Sequence, residues 1–240
     1  MNNKLQKYKS CEHLEYSAVF RSDCIRVCCG DTSKINDLAC PRFKINNTDI
    51  DNLDELFSRF IAFKQKLKED INSGKHIICS GCSYLREDNW EPEDTFKLIN
   101  FSVDYPCNLG CSYCYQNTDE YHYEKTYDID KLIANVLKSK FVSDDTQFIY
   151  ASGEIGIHPK IKEIVNLFQK RNVSFFTNAT KYHEEIHQLI LKPRNSILVS
   201  LDCGTRETYQ KIKGRDMFNV VCENISRYAS DNGNVMLKYI

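Results

Sequence analysis

The sequence predicts an α/β fold that follows a small cysteine-rich segment, and two observations support this prediction. From residue 98 onward, short apolar runs alternate with segments whose apolar residues recur at helical spacing. Strands and helices that alternate with short loops form parallel sheets through right-handed crossovers. The 12 cysteines are unevenly spread, since seven of them precede residue 98. We therefore predict a cysteine-rich segment over residues 1–97 and an α/β core over residues 98–240.

The cysteine-rich segment contains one predicted amphipathic helix. Over residues 50–71, leucine, isoleucine and phenylalanine recur at a spacing that places them on one face of a helix. This helix separates the first five cysteines from Cys79 and Cys82, which have the spacing C-x2-C. A helix at this place can fold the chain back and bring the two groups of cysteines together.

The core begins with a predicted strand over residues 98–103, and the chain turns at Pro106. The pattern then predicts four βα units and a fifth strand. The later strands are predicted over residues 146–151, 173–177, 197–201 and 235–240. The helices are predicted over residues 130–138, 159–168, 182–191, after Thr205, and over 217–228. We expect Thr205 to cap its helix without a full capping box, because Thr208 stands where Glu or Gln would be needed.

The predicted fifth strand ends with the given chain at Ile240. Its last five residues are typical of a buried strand, with Lys238 as their only charge. We therefore expect the fold to be truncated at this strand. A legitimate final edge strand is the alternative.

Composition argues against several classes of protein. The 32 basic and 33 acidic residues nearly balance, and no basic run predicts a nucleic-acid partner. No apolar run approaches the roughly 20 residues that span a bilayer, and residues 1–10 lack the apolar core of a signal peptide. We therefore expect a cytoplasmic protein without a membrane partner. Disulfides are rare in that compartment, so metal binding is the leading use for the thiols.

Three cysteines follow closely on the first strand of the core, with the spacing C-x3-C-x2-C. They are Cys107, Cys111 and Cys114. Three thiolates on one tight loop can hold three irons of a [4Fe–4S] cluster, which leaves the fourth iron open to a small chelating ligand. Gly110 allows a positive φ, so the loop can wrap around the cluster. The alternative is a zinc loop with a fourth ligand elsewhere, such as His122 or His158.

This motif, with the aromatic Tyr113 before its last cysteine, resembles the signature of the radical S-adenosylmethionine (SAM) superfamily. Three later strand ends are similar to segments of the same family. Residues 152–155 resemble its Gly-Gly-Glu-Pro segment, with Ser152 in place of the first glycine and Ile155 in place of the proline. Residues 177–179 resemble Thr-Asn-Gly, with alanine in place of the glycine. Residues 200–202, Ser-Leu-Asp, are similar to the end of the family's fourth strand.

The resemblance implies a partial (β/α)6 TIM-like barrel that binds a [4Fe–4S] cluster and SAM. In that family the reduced cluster cleaves SAM to methionine and a 5′-deoxyadenosyl radical, which abstracts a hydrogen from the substrate. The implied SAM-binding residues are Tyr113, Ser152, Gly153, Glu154, Asn178, Ser200 and Asp202. Plainer explanations exist for three of them. Glu154 can be a solvated loop carboxylate or a helix-start charge, Asn178 a turn residue, and Asp202 the cap of the next helix.

The N-terminal cysteines predict an auxiliary site that is loosely similar to SPASM-type domains, although the cysteines of those domains usually follow the barrel. The predicted ligands are Cys11, Cys28, Cys79 and Cys82, with Cys29 or Cys24 as substitutes. A second [4Fe–4S] cluster is the first interpretation, and a structural zinc is the alternative. We expect the thiols outside both sets to be inert and buried. They are Cys40, Cys203 and Cys222.

The function predicted from these observations is that of a radical SAM oxidoreductase or modifying enzyme. Its expected partners are SAM, a reductant such as a flavodoxin or ferredoxin, and a substrate that can be a peptide, a protein or a small molecule. Two alternatives belong to other classes. One is a non-catalytic zinc- or iron–sulfur-binding module, and the other is an electron-transfer protein.

Overall fold

The structure is a computed structural model that describes residues 7–28, 40–75, 79–103, 105–114 and 127–239. The chain divides into two compact units. The first comprises residues 1–100 and 126–146, and the second comprises residues 101–125 and 147–240. Residues 126–146 thus join the first unit although they follow residue 98 in the chain. The predicted domains over residues 1–97 and 98–240 stay predictions.

The first unit contains short strands and three helices among its described residues. Its strands are β1 (Tyr8–Ser10), β2 (Ser17–Phe20), β3 (Cys24–Arg26), β4 (Arg42–Lys44), β5 (Arg86–Asp88) and β6 (Leu98–Phe101), whose last residue enters the second unit. Its helices are α1 (Glu12–Tyr16), α2 (Leu53–Asn72) and α3 (Ile129–Val136). Strands β1 and β5 form an antiparallel pair. Strand β2 lies between β6 and β3, and β3 pairs antiparallel with both β2 and β4.

Helix α2 confirms the predicted amphipathic helix but begins later than predicted. The Asn52 side chain accepts a hydrogen bond from the N–H of Glu55, so the helix begins at Leu53 and a 3-10 turn over Asp49–Asp51 precedes it. Asparagine favours this capping role because its side-chain oxygen replaces a missing backbone acceptor. The buried face of α2 packs its phenylalanines into an aromatic core. The ring centroids of Phe57 and Phe96 are 4.8 Å apart.

One lysine lies on the buried face of α2. The ammonium of Lys64 is 4% exposed and donates to the carbonyls of Glu15, at 3.1 Å, and Ser17, at 3.2 Å. The pKa of Lys64 is lowered to about 7, mainly by burial and in smaller part by the nearby Lys68, against the opposing effects of Glu15 and Cys11.

The second unit alternates strands and helices, as the sequence predicts. Its strands are β7 (Gln147–Tyr150), β8 (Asn172–Thr177), β9 (Ser196–Ser200) and β10 (Val235–Lys238). Its helices are α4 (Ile161–Leu167), α5 (Glu184–Ile190), α6 (Arg206–Lys213) and α7 (Phe218–Ala229). The strands are all parallel and lie in the order β7-β8-β9-β10, with Phe148 opposite Val173 and Phe175 opposite Ile197. This confirms an α/β fold with a parallel sheet.

Apolar side chains on the strands and helices of the second unit form its core. Phe168, which follows α4, packs against Phe148 and Phe175 with centroid distances of 5.6 and 5.9 Å. All three rings are fully buried, and each contributes about 2–3 kcal/mol of burial free energy. The carboxyl ends of these parallel strands therefore share one edge of a rigid sheet. No helix among the described residues is long and apolar enough to cross a membrane.

Two details at helix ends differ from the sequence predictions. Helix α4 begins at Ile161, so Pro159 precedes it by two residues. A full capping box does form at α6. The N–H of Thr208 donates to the Thr205 hydroxyl and the N–H of Thr205 donates to the Thr208 hydroxyl, both at 3.3 Å. The prediction was wrong because a threonine hydroxyl accepts this bond as a Glu or Gln side chain would.

Candidate functional site

The predicted cluster loop lies within the second unit and is fastened to the end of α6. The N–H of Gly110 donates to the carbonyl of Lys213 at 3.1 Å, and the N–H of Ser112 donates to the carbonyl of Ile212 at 2.8 Å. Gly214, which ends α6, has a φ of +73°, and a Cβ there would lie 2.8 Å from the carbonyl oxygen of Gly110. The loop and the helix end therefore approach too closely for any larger residue at position 214.

The left-handed glycine of this region is thus Gly214, and the expectation of a positive φ at Gly110 was wrong. The three thiols of the loop are partly buried. Burial raises the pKa of Cys107, against hydrogen bonds from the N–H of Leu109 and the amide of Asn178. Burial also raises the pKa of Cys111, against the positive charge of Lys213 and a hydrogen bond from Tyr113. A side-chain amide therefore faces Cys107 and a cation faces Cys111, and both oppose the rise in pKa that burial causes.

The segment after β7 packs against the chain that leads into this loop. Gly153 has a φ of +47°, and a Cβ there would lie 2.2 Å from the carbonyl oxygen of Tyr105 and 2.7 Å from that of Pro106. The next N–H, of Glu154, donates to the Pro106 carbonyl at 3.2 Å. The Ser152 hydroxyl is buried and donates to the carbonyl of Phe101 at 3.0 Å, so its side chain turns away from this close approach. Only glycine fits at position 153 without moving the entrance to the loop.

Glu154 lies at the centre of a buried hydrogen-bond network. One carboxylate oxygen accepts from the N–H of Gly156 at 2.7 Å and from the Thr177 hydroxyl at 2.6 Å. The other accepts from the N–H of Asn178 at 2.6 Å. Burial raises the pKa of Glu154, and these three donors oppose that rise. The interpretation as a solvated carboxylate was therefore wrong. Glu154 does cap the 3-10 turn over Ile155–Ile157, and it also reaches the end of β8.

Asn178 links this network to the cluster loop. Its side-chain amide donates to the side-chain oxygen of Asn108 at 2.9 Å and lies 3.6 Å from the sulfur of Cys107. Asn108 in turn donates to the hydroxyl of Thr180 at 2.8 Å. The Asn178 side-chain oxygen also accepts from the N–H of Thr180. Asn178 is therefore a turn residue, as the plainer explanation predicted, and it contacts the loop as well.

A buried ion pair joins the end of β9 to the other side of the loop. Lys213 donates to Asp202 at 2.5 Å, with both side chains only 1% exposed. Tyr113 donates to the same oxygen of Asp202, and its hydroxyl accepts from Lys213 at 2.8 Å. The second oxygen of Asp202 is buried and has no hydrogen-bond partner among the described residues. The expectation that Asp202 only caps the next helix was wrong, because the cap of α6 is Thr205.

Lys213 was not predicted from the sequence. Ser200 was predicted as a SAM-binding residue, but its side chain makes no hydrogen bond within the described residues. Ser200 ends β9 and pairs with Lys238 of β10. Lys213 lies four residues after Tyr209 on α6, and both side chains are fully buried. That spacing is the signal that could have identified Lys213, because residues four apart share one helix face.

The two histidines named as alternative zinc ligands are placed differently. His158 packs on the ring of Tyr105 at a centroid distance of 4.5 Å, and His122 lies outside the described residues.

The four predicted auxiliary ligands all lie in the first unit. Burial raises the pKa of Cys79 to about 12, with further contributions from the neighbouring thiols of Cys11, Cys28 and Cys82. Burial also raises the pKa of Cys11, and Cys28 and Cys82 add to that rise. The four thiols therefore affect one another electrostatically within the first unit. Cys40 is buried as expected, with its sulfur 2.9 Å from that of Cys28.

The other cysteines are placed as follows. Cys24 and Cys203 are buried, whereas Cys222 is partly exposed, contrary to expectation. Cys29 lies outside the described residues. Within the described ranges, no group of three or more His, Cys, Asp or Glu side chains is placed to hold a single metal ion. A four-iron cluster spreads its ligands around a larger group than one ion, so its ligands need not converge on one point.

The residues around the three loop thiols fit an anionic group held by thiolates. Two cluster thiols face an amide or a buried ammonium, as described for Cys107 and Cys111. The unpartnered oxygen of Asp202 offers an acceptor for a bound ligand. Unsatisfied buried polar atoms are rare in native proteins, and such atoms are commonly satisfied by a ligand. The donor set thus suits an iron–sulfur cluster together with a polar cofactor.

Comparisons with known proteins agree with this geometry. A family model described as the "Radical SAM superfamily" matches residues 105–238. A Saccharolobus islandicus protein named "Probable GTP 3',8-cyclase" is 30% identical over 147 residues, which cover 58% of this chain and 46% of that protein. A "GTP 3',8-cyclase" of Chlorobaculum tepidum is 25% identical over 138 residues, covering 55% and 41%. The chain therefore spans about half the length of the curated relatives it matches.

Among solved structures, the chain is similar to SuiB of Streptococcus suis. With SuiB bound to S-adenosylmethionine the TM-score is 0.48 at 11% identity, covering 98% of this chain and 57% of that one. With SuiB bound to precursor peptide SuiA the TM-score is 0.49 at 12% identity, covering 98% and 56%.

Proposed function

The chain belongs to the radical SAM superfamily of enzymes, and from that premise we propose that its second unit is a partial (β/α)6 barrel whose loop binds a [4Fe–4S] cluster. The ligands would be Cys107, Cys111 and Cys114. SAM would bind beside them at the carboxyl ends of β7, β8 and β9. When bound, the reduced cluster supplies the electron for reductive cleavage of SAM, and the resulting 5′-deoxyadenosyl radical abstracts a hydrogen from the substrate.

One observation carries this proposal. Polar side chains from three successive strand ends meet the same loop within one unit. Glu154 accepts from the N–H of Asn178, whose side-chain amide lies beside the sulfur of Cys107. Asp202 accepts hydrogen bonds from Tyr113 and Lys213. Loops at the carboxyl ends of parallel strands are where α/β folds bind ligands.

Each residue has a physical task in this proposal. Glu154 is held by three donors, so its orientation is fixed before any ligand arrives, and it positions the backbone of Asn178. The buried oxygen of Asp202 accepts a hydrogen bond from a polar group of SAM. Gly153 lets the backbone lie against the entrance to the loop. Ser152, Ser200 and Tyr113 complete the proposed SAM-binding set.

The first unit is proposed to hold an auxiliary site formed by Cys11, Cys28, Cys79 and Cys82. The mutual effects on the pKa values of Cys11 and Cys79 support this grouping. A second [4Fe–4S] cluster is the preferred occupant, and zinc is the alternative. The substrate is proposed only as a peptide, a protein or a small molecule, with a flavodoxin or ferredoxin as reductant in the cytoplasm.

Anaerobic reconstitution tests the proposal. The wild-type chain should bind about eight irons if both clusters form and about four if only one does. Replacing Cys107, Cys111 and Cys114 by alanine should remove about four irons and abolish 5′-deoxyadenosine formation from SAM and dithionite. Cys222→Ala is the matched control and should change neither value. Zinc without iron would refute the enzyme assignment, and a redox-active cluster without 5′-deoxyadenosine would favour an electron-transfer protein.

A further inference from the structure

A second buried polar atom near the cluster loop has no partner. The Tyr209 side chain is fully buried, and its hydroxyl makes no hydrogen bond among the described residues. Leaving a hydroxyl buried and unpaired costs about 1–3 kcal/mol, so native proteins seldom keep one without a reason. A phenylalanine would fill the same space without this cost. The hydroxyl is therefore available to donate to a bound group.

The position of Tyr209 on α6 shows where that partner lies. Tyr209 and Lys213 are four residues apart and share one face of the helix. Lys213 on that face contacts Tyr113, and the end of the same helix accepts the N–H groups of Gly110 and Ser112. The face of α6 that carries Tyr209 therefore faces the cluster loop.

The electrostatic surroundings of the hydroxyl agree with this direction. Burial raises the pKa of Tyr209, and Cys111, Cys203, Glu154 and Cys107 raise it further, with Cys111 the strongest of these neighbours. Two of the four are proposed cluster ligands. The Tyr209 ring also packs against the ring of Phe218, at a centroid distance of 5.8 Å, and that ring carries no oxygen or nitrogen acceptor.

We propose that Tyr209 is a positioning residue whose hydroxyl donates a hydrogen bond to a sulfur atom of the iron–sulfur cluster held by Cys107, Cys111 and Cys114. This inference rests on the proposed function of that loop. A hydrogen bond to a cluster sulfur stabilises the reduced, more negative cluster and so raises its reduction potential. Tyr209 would thereby ease reduction of the cluster by the external reductant, the step that must precede SAM cleavage.

The test compares Tyr209→Phe with wild type and with Tyr228→Phe. Tyr228 is a matched control on the next helix, because it is equally buried but its hydroxyl accepts from the N–H of His183 at 2.8 Å. We measure the iron content, the midpoint potential of the cluster by EPR-monitored titration without and with SAM, and the urea midpoint of the metal-free chain. The relevant EPR signal is the one that Cys111→Ala abolishes.

The two variants should behave in opposite ways. Tyr209→Phe should keep or raise the stability of the metal-free chain, since no bond is lost, and should shift the cluster potential to a more negative value. Tyr228→Phe should lower the stability and leave the potential unchanged. Loss of the cluster from an equally stable Tyr209→Phe chain would also support the contact.

Three results would overturn the assignment. They are an unchanged potential, a shift seen only when SAM is present, and loss of the cluster together with a loss of metal-free stability. If the wild-type chain takes up no iron at the loop, the proposed function fails together with the inference. If iron is bound and the potential of Tyr209→Phe does not move, only the inference fails.

Discussion

The buried pair of Asp202 and Lys213 offers a quantitative test of how the loop is held. Both side chains are 1% exposed, and the charged atoms are 2.5 Å apart. Removing one member of a buried ion pair leaves the other charge without compensation and costs about 3–5 kcal/mol. We therefore expect Asp202→Asn and Lys213→Met each to lower the free energy of unfolding of the metal-free chain by that amount. The double variant buries no charge at this place, so it should lose far less than the sum.

Urea denaturation of the four members of this cycle measures the coupling energy directly. We expect a coupling of at least about 2 kcal/mol, near the upper part of the range for residues in contact. The exposed pair of Arg206 and Asp216 lies on the same stretch of chain and provides the control cycle, with side chains 62% and 32% exposed. Its coupling should be about 0–1 kcal/mol. If the two cycles gave equal couplings, or if the double variant lost the full sum, burial would not govern the strength of the Asp202–Lys213 pair.

Three further predictions follow from the same contacts. Gly153→Ala should lower stability and iron uptake, because its Cβ would lie 2.2 Å from a carbonyl oxygen, whereas Gly204→Ala meets nothing within 4 Å and should bind iron as wild type does. Lys64 has a pKa of about 7 in the folded chain, below the usual 10.5 that it regains on unfolding. Between pH 10.5 and about 7, Lys64 is therefore protonated in the unfolded chain but neutral in the folded chain. The free energy of unfolding should therefore fall by up to about 5 kcal/mol as the pH falls over that range, relative to Lys64→Met, and a parallel pH dependence of the two chains would contradict this. Glu154→Gln should cost about 1–3 kcal/mol in urea denaturation, because its amide must face existing donors, and a variant as stable as wild type would argue against the network.

The regular parts of the second unit could be predicted because their signals are local. Alternating apolar runs and helical spacing predicted the strands and helices between β7 and β10, whose order and parallel direction the structure has. Glu154, Asn178 and Asp202 were singled out because the segments that contain them resemble radical SAM motifs at successive strand ends. The first unit was harder, since its short strands lack a long periodic pattern.

What could not be predicted depends on pairs that are distant in the sequence. Lys213 stands beside a glycine at a helix end, a place where lysine is usually solvated. Only the fold brings it to Asp202, 11 residues away, and to Tyr113, 100 residues away. The glycines that allow close backbone contacts could not be predicted for the same reason, because their partners are distant in the sequence. The sequence marks Gly110 inside the motif, whereas the close backbone approaches occur at Gly153 and Gly214, whose partners belong to other segments.

The position of the cluster loop is therefore set by groups outside its cysteines. Backbone bonds to the end of α6 hold Gly110 and Ser112, and the side chains of Asn108 and Tyr113 join the networks around Glu154 and Asp202. Because these contacts use backbone, amide and hydroxyl atoms, they position the loop while the cysteine sulfur atoms stay available to bind metal. A bare C-x3-C-x2-C spacing cannot encode this placement, so the motif alone also allows a zinc loop. If the proposed function holds, replacing Asn178 or Asp202, which contact the loop from the strand ends, should impair SAM cleavage more than cluster assembly.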